Sequence, residues 1–214
     1  MTKRIEFYFD FGSPTAYLAW TQLPKLAAEA GAELVYKPVL LGGIFQATQN
    51  ASPMMVPAKG KYMLRDLGRF AKRYGVALNM NPHFPINTLQ MMRGAIGVQQ
   101  RMPERFAAYV ETLYRGMWVE GLNLGDPAVL GATLAKAGFE PQALLALIGD
   151  AQVKELLKSE TEAAVKRGLF GVPVMFVGGE MYFGQDRLDF VREALEKPGL
   201  GTRDPGPRDP GTAR

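Results

Sequence analysis

The sequence predicts an α/β fold, on three observations. A strand, a helix and a second strand follow one another between Ile5 and Val39. A long stretch with helical periodicity runs from Gly42 to about Thr161. Strand character then returns at Val172, in the order strand, strand, helix.

The first strand is Ile5-Glu6-Phe7-Tyr8-Phe9-Asp10, alternating and rich in aromatic residues. Gly12-Ser13-Pro14 starts a helix, with Ser13 in the N-cap place and Pro14 at the first helical position. Its apolar stripe is Tyr17, Leu18, Leu23, Leu26 and Ala27, and Gly31 stops it. Glu33–Val39 is the second strand, so the opening is a βαβ unit with an expected right-handed crossover.

The middle is read as a chain of helices. Lys59–Tyr74 is amphipathic and ends at Gly75, and Asn79–Pro85 is a loop holding two prolines. Asn87–Arg101, Glu104–Val119, Pro127–Ala137 and Pro141–Ile148 are each bounded by Pro or Gly. Val153–Arg167 is the last long helix before Gly168. Val172–Val177 and Glu180–Phe183 then form a hairpin across Gly178-Gly179, and Gln185–Glu196 is a closing helix.

Joining the outer pieces in one sheet gives a thioredoxin-like core, βαβ…ββα, with an inserted all-helical subdomain acting as a lid. On this reading residues 1–41 and 162–197 form the core and 42–161 the insertion. Residues 198–214, dominated by Pro, Gly and charge and repeating Arg-Asp-Pro-Gly, form a disordered tail.

Composition narrows the chemistry. The chain has 214 residues, 47% of them hydrophobic, enough for a substantial core. Net charge is +4 with no run of five like charges, so no nucleic-acid partner is expected. Cysteine is absent, which excludes disulfides, thiolate metal sites, a Cys nucleophile and any Cys-x-x-Cys motif. With His83 as the single histidine, no histidine-rich metal site is expected. No 18-residue apolar run and no signal-peptide pattern is present, so no membrane partner and a cytoplasmic location are expected.

Two segments face each other in such a core: Asp10–Pro14, and Gly171-Val172-Pro173. Pro173 is either an ordinary proline opening a strand or a cis peptide whose preceding residue offers backbone groups to an extended ligand. Ser13 is either a plain N-cap or a hydroxyl that donates to an anion held at the helix start. It lacks the setting of a covalent nucleophile, with no G-x-S-x-G and no histidine base other than His83.

The segment Tyr8-Phe9-Asp10-Phe11-Gly12-Ser13-Pro14-Thr15-Ala16-Tyr17-Leu18-Ala19 resembles the opening of 2-hydroxychromene-2-carboxylate isomerases. These belong with the kappa-class glutathione transferases in the DsbA-like branch of the thioredoxin superfamily. The likeness continues through Leu41–Phe45, Pro57–Met63, Pro82–Thr88, Gly168–Pro173 and Phe183–Leu188, covering roughly residues 3–196.

The resemblance implies a glutathione-dependent enzyme in which Ser13 stands where a redox relative carries its reactive cysteine. It implies that Ser13 hydrogen-bonds the glutathione sulfur and that Val172, before Pro173, pairs with the cysteinyl backbone. Asp186, with Gln185 beside it, would hold the γ-glutamyl end, and Asn50 and Lys59 would contact the tripeptide. The kappa-class pattern often has Ser where Gln185 stands.

Three readings follow. The first is an isomerase acting on a small aromatic carboxylate, in which glutathione is a cofactor. The second is a transferase conjugating electrophiles, and the third a thioredoxin-fold binding module without redox cysteines. A homodimer is expected. The substrate pocket is expected between the sheet and the inserted helices, near Lys59, Asn87 and the loop carrying His83, with His83 lining the pocket or serving structure.

Overall fold

A computed structural model describes residues 2–196; the expected tail 198–214 and Lys197 lie outside the described residues. Four strands form one mixed sheet: β1 (Lys3–Phe9), β2 (Ala32–Pro38), β3 (Val174–Val177) and β4 (Glu180–Phe183). Their order is β2-β1-β3-β4. The β1–β2 pair is parallel, with Phe7 opposite Tyr36, while β1–β3 and β3–β4 are antiparallel. The expected thioredoxin-like arrangement is the one found.

Helix α1 (Pro14–Ala30) crosses from β1 to β2. The expected insertion holds α2 (Leu41–Thr48), α3 (Pro57–Tyr74), α4 (Leu89–Arg101), α5 (Phe106–Trp118), α6 (Pro127–Lys136) and α7 (Pro141–Gly149). Helix α8 (Ala151–Lys166) runs through residues 161 and 162, so the boundary read there falls inside one element. At the end of the chain a 3-10 turn, Gln185–Arg187, precedes α9 (Leu188–Glu196), where a single helix was expected. Gly178 and Gly179, with φ of 57° and 86°, make the β3–β4 turn, a pair of left-handed conformations suited to a two-residue hairpin.

Strand alternation divides the core. Ile5, Phe7 and Phe9 of β1 point into the larger apolar cluster, which also holds Leu18 and Leu23 of α1, Met91 of α4, Tyr109 and Trp118 of α5, and Leu157 of α8. Tyr8 points to the other face, with Val174 and Phe176 of β3, Ile44 of α2 and Ala164 of α8. The inserted helices therefore share one core with the sheet instead of only covering it. Among the described residues no helix is long and apolar enough to cross a membrane.

Candidate active site

The site is built where β1 ends. Ser13 caps α1: its Oγ accepts a hydrogen bond from Ala16 N at 3.1 Å, satisfying one of the free N–H groups of the first turn. The same hydroxyl donates to Val172 O at 3.1 Å and lies 2.9 Å from Thr15 Oγ1. Both expected roles thus meet at one atom, because the capping oxygen also faces the loop before β3. Ser13 is only 4% exposed.

The Val172–Pro173 peptide is cis, as is Phe84–Pro85. The sequence had raised the first and not the second. Val172 O is engaged by Ser13 and approached by Thr15 at 3.5 Å, whereas the Val172 N–H has no acceptor among the described residues. A buried unpaired N–H is costly and suits an incoming carbonyl.

These groups floor a cleft of about 820 Å³ between the sheet end and the helices. Its walls are mostly apolar, including Phe45, Met54, Met63, Phe84, Ile86, Phe170 and Phe183. Phe170 and Phe183 pack with ring centroids 4.6 Å apart and are 38% and 42% exposed, forming part of the rim. Among the described residues the ionisable side chains lining the cleft are Asp10 and Asp186, with no Lys, Arg or His. The starts of α1, α2 and α4, at Thr15, Leu41 and Leu89, all reach its wall, so positive potential there comes from helix ends and not from basic side chains.

Seven of the sequence-derived candidates gather here. Ser13, Val172, Asn50, Asn87, Gln185 and Asp186 line the cleft, and Pro173 follows Val172. Asn50 Nδ2 donates to Phe170 O at 2.9 Å, tying the end of α2 to the loop before Pro173. Asn87 Oδ1 accepts from Leu89 N at 3.0 Å at the head of α4. Gln185 is buried, and its backbone carbonyl accepts from the Tyr74 hydroxyl at 2.7 Å. Asp186 pairs with Arg187 at 2.5 Å. Its carboxylate lies over Gly184, whose φ of 100° and missing Cβ make room for it: a Cβ there would sit 2.4 Å from Asp186 Oδ1.

Lys59 and His83 do not line the cleft. Lys59 is exposed in the first turn of α3, which turns Gly60, Leu67 and Ala71 inward instead. His83 is exposed as well, while its loop is anchored by its neighbours. Asn81 is buried, donating to Met117 O and Leu122 O at 2.9 Å each and accepting from His83 N at 2.9 Å, and Phe84 packs on Trp118.

Sequence reasoning missed Asp10. It is fully buried on the cleft floor, and burial holds its carboxyl above the usual range against the pull of hydrogen bonds from Gly12 N, Leu41 N and Thr88. The signal available was an acidic residue ending an otherwise apolar aromatic strand.

The family described as DSBA-like thioredoxin domain matches residues 4–196. The 2-hydroxychromene-2-carboxylate isomerase of Sphingobium xenophagum is 35% identical over 199 residues, covering 91% of this chain and 99% of that protein. Glutathione S-transferase kappa 1 of Homo sapiens is 29% identical, covering 94% of each chain. A solved structure of a 2-hydroxychromene-2-carboxylate isomerase superposes with a TM-score of 0.80 at 31% identity, covering 90% of this chain and 94% of that one. The chain belongs to the DsbA-like thioredoxin family, in the branch that holds the 2-hydroxychromene-2-carboxylate isomerases and the kappa-class glutathione transferases.

Proposed function

We propose that the protein is a glutathione-dependent isomerase that opens and isomerises 2-hydroxychromene-2-carboxylate, or a similar intermediate of aromatic catabolism, to a benzylidenepyruvate. The observation that carries this reading is the Ser13 hydroxyl at the start of α1, facing Val172 on the floor of an apolar cleft, in a chain without cysteine. The residues present fit glutathione. The unpaired Val172 N–H offers one peptide hydrogen bond, and Gln185 and Asp186 offer polar groups in the lining of the same cleft. When bound, glutathione supplies a thiol that, once ionised, is a reversible nucleophile.

The chain's own residues do the rest. Ser13 has one hydroxyl hydrogen bond to give, and Thr15 Oγ1, 2.9 Å away, can accept it or donate one to the serine oxygen. Turning the Ser13 O–H from Val172 O to a sulfur leaves Thr15 to occupy the carbonyl. The α1 N-terminus favours negative charge at the same point. The apolar walls exclude water around an aromatic ring, which strengthens each of these interactions. A substrate carboxylate meets helix starts and not a basic side chain.

The isomerase reading is favoured over conjugation because the relatives named isomerases are the more similar ones, at 31–35% identity against 25–29%. Turnover of 2-hydroxychromene-2-carboxylate, followed with and without glutathione, tests it. Turnover that needs glutathione without consuming it supports the reading. Stoichiometric loss of glutathione to an electrophile would make the protein a transferase, and no turnover or binding of either compound would defeat both.

A further inference from the structure

We propose that Asp10 is a positioning residue for the reaction centre, its buried carboxylate tying the starts of α1 and α2 together beside the Ser13 hydroxyl, with Thr88 at the head of α4 packed against it. This rests on the glutathione reading above for its effect on catalysis, though not for its geometry.

The carboxylate spans two segments distant in sequence. Oδ1 accepts from Gly12 N at 2.8 Å and Oδ2 accepts from Leu41 N, also at 2.8 Å. The Asp10 carbonyl accepts from Ser13 N at 3.1 Å, closing the turn into α1. Thr88 packs beside the same turn, its side chain and Asp10 Oδ1 both facing Gly12. Each donor stands at the head of a helix. Leu41 opens α2, and its N-cap residue Leu40 has no side-chain acceptor, so Asp10 caps that helix from outside it. Thr88 precedes α4 and makes no capping bond to it. The packing is close: a Cβ on Gly12 would lie 3.1 Å from Thr88 Cγ2 and 3.3 Å from Asp10 Oδ1.

A purely structural carboxylate would not be expected to touch the catalytic hydroxyl's own turn. Asp10 holds that turn by both side chain and backbone, so any shift of the carboxylate moves Ser13 relative to Val172. The titratable groups around it among the described residues are few: the Tyr114 hydroxyl of α5 and Asp186, which lines the same cleft.

The substitution Asp10→Asn separates position from charge. Asparagine has the same shape, but its amide nitrogen must face the N–H of either Gly12 or Leu41, donor against donor, and one tie breaks. Loss of the negative charge alone would favour a nearby thiolate. Loss of position would disfavour it. The two effects have opposite signs.

The experiment titrates the thiol of bound glutathione by its ultraviolet absorbance in full-length wild type, Asp10→Asn and Thr88→Val, alongside the pH dependence of kcat/KM. Positioning predicts a higher pH midpoint in Asp10→Asn, by about one unit, which is tenfold in thiolate fraction below the midpoint. The acid limb of kcat/KM should move with it, while KM for glutathione measured below the wild-type midpoint changes less than about threefold, because there the bound thiol is neutral and loses little. Thr88→Val should move both in the same direction by less. A midpoint that stays or falls in Asp10→Asn overturns the proposal, and if that variant does not fold, an unmoved midpoint in Thr88→Val does so. Amide hydrogen exchange at Gly12 and Leu41 needs no ligand. Should wild type fail to bind glutathione, the functional reading falls, and the proposal stands or falls on faster exchange at Gly12 or Leu41, whichever tie breaks, in Asp10→Asn or, if that variant does not fold, in Thr88→Val.

Discussion

The Ser13 hydroxyl and the Val172 carbonyl, 159 positions apart in sequence, meet at 3.1 Å on the floor of the cleft. This contact brings the start of α1 and the loop before β3 to one point. An alcohol there caps the helix and, with glutathione bound as proposed, would face its sulfur. Ser13→Ala should therefore lower turnover on the order of 10²-fold, the usual cost of one preorganised donor, while glutathione still binds. Ser13→Gly should lose as much turnover, though glycine replaces an N-cap serine at a smaller stability cost than alanine. Comparing the two by activity and melting separates catalysis from capping. A covalent serine–substrate species in the mass spectrum would overturn this role.

Asp186 is expected to hold the γ-glutamyl ammonium. The bland alternative is helix capping, yet its carboxylate pairs with Arg187 and lies in the 3-10 turn before α9. Asp186→Asn should raise KM for glutathione by about tenfold, in line with one charge-assisted hydrogen bond, with kcat and melting temperature nearly unchanged. A drop in melting with unchanged KM would assign it to capping instead.

Most of the sheet was legible because its signals are local. Alternation marks β1, Ser13-Pro14 marks the helix start, and Gly178-Gly179 marks the hairpin. The site was legible at Ser13 and Val172 for the same reason, with the family resemblance adding Asn50, Gln185 and Asp186. Asp10 was not, since its meaning depends on Leu41 and Thr88 being brought to it by the fold. Lys59 and His83 were placed by motif, and a motif fixes the segment without fixing which side of it meets the cleft. The boundary at 161 was read from where helical periodicity ends, although the helix read over Val153–Arg167 already crosses it, and α8 is continuous there because Leu157 and Thr161 pack inward one turn apart.

His83 is expected to be dispensable. It is exposed beside the buried anchor Asn81, which does not depend on the imidazole. His83→Gln should retain most turnover and leave the shape of the pH–rate profile unchanged. A loss beyond about 10²-fold, the low end of general acid–base catalysis, would show that it reaches the reacting atoms.

Asp150 gives a stability test with a defined sign. It caps α8 through Gln152 N and Val153 N and pairs with Arg101 Nη2 at 2.7 Å. The Arg101 guanidinium, followed by the Val153 N–H, holds its carboxyl below the ordinary value of about 3.8. A carboxyl so lowered adds stability above its unfolded-state pKa and loses it as pH falls through the folded-state value. Asp150→Asn keeps a capping oxygen and removes the ion pair. Its melting temperature should fall slightly below wild type at neutral pH, and the gap should close as the pH drops below about 3.8. Added salt should narrow the neutral-pH gap. A gap that widens in acid would contradict the assignment.

Tyr114 and Tyr109 make a matched pair on α5 with opposite expectations. Both are fully buried, and burial keeps both hydroxyls protonated by raising their pKa well above the ordinary value. The Tyr109 hydroxyl donates to Met91 O at 2.9 Å. The Tyr114 hydroxyl has no hydrogen-bond partner among the described residues, although its ring packs on Phe11 and Trp20 at centroid distances of 5.0 and 5.3 Å. Removing a paired hydroxyl gives up about 1 kcal/mol, whereas removing an orphan relieves a desolvation cost of about 1–3 kcal/mol. Tyr109→Phe should therefore destabilise the protein, and Tyr114→Phe should leave it as stable or make it more so, since the ring and its contacts remain. Denaturant unfolding of the two variants checks this directly. A Tyr114→Phe variant that loses as much as Tyr109→Phe would mean that its hydroxyl is satisfied in solution, by a water held between α5 and the sheet.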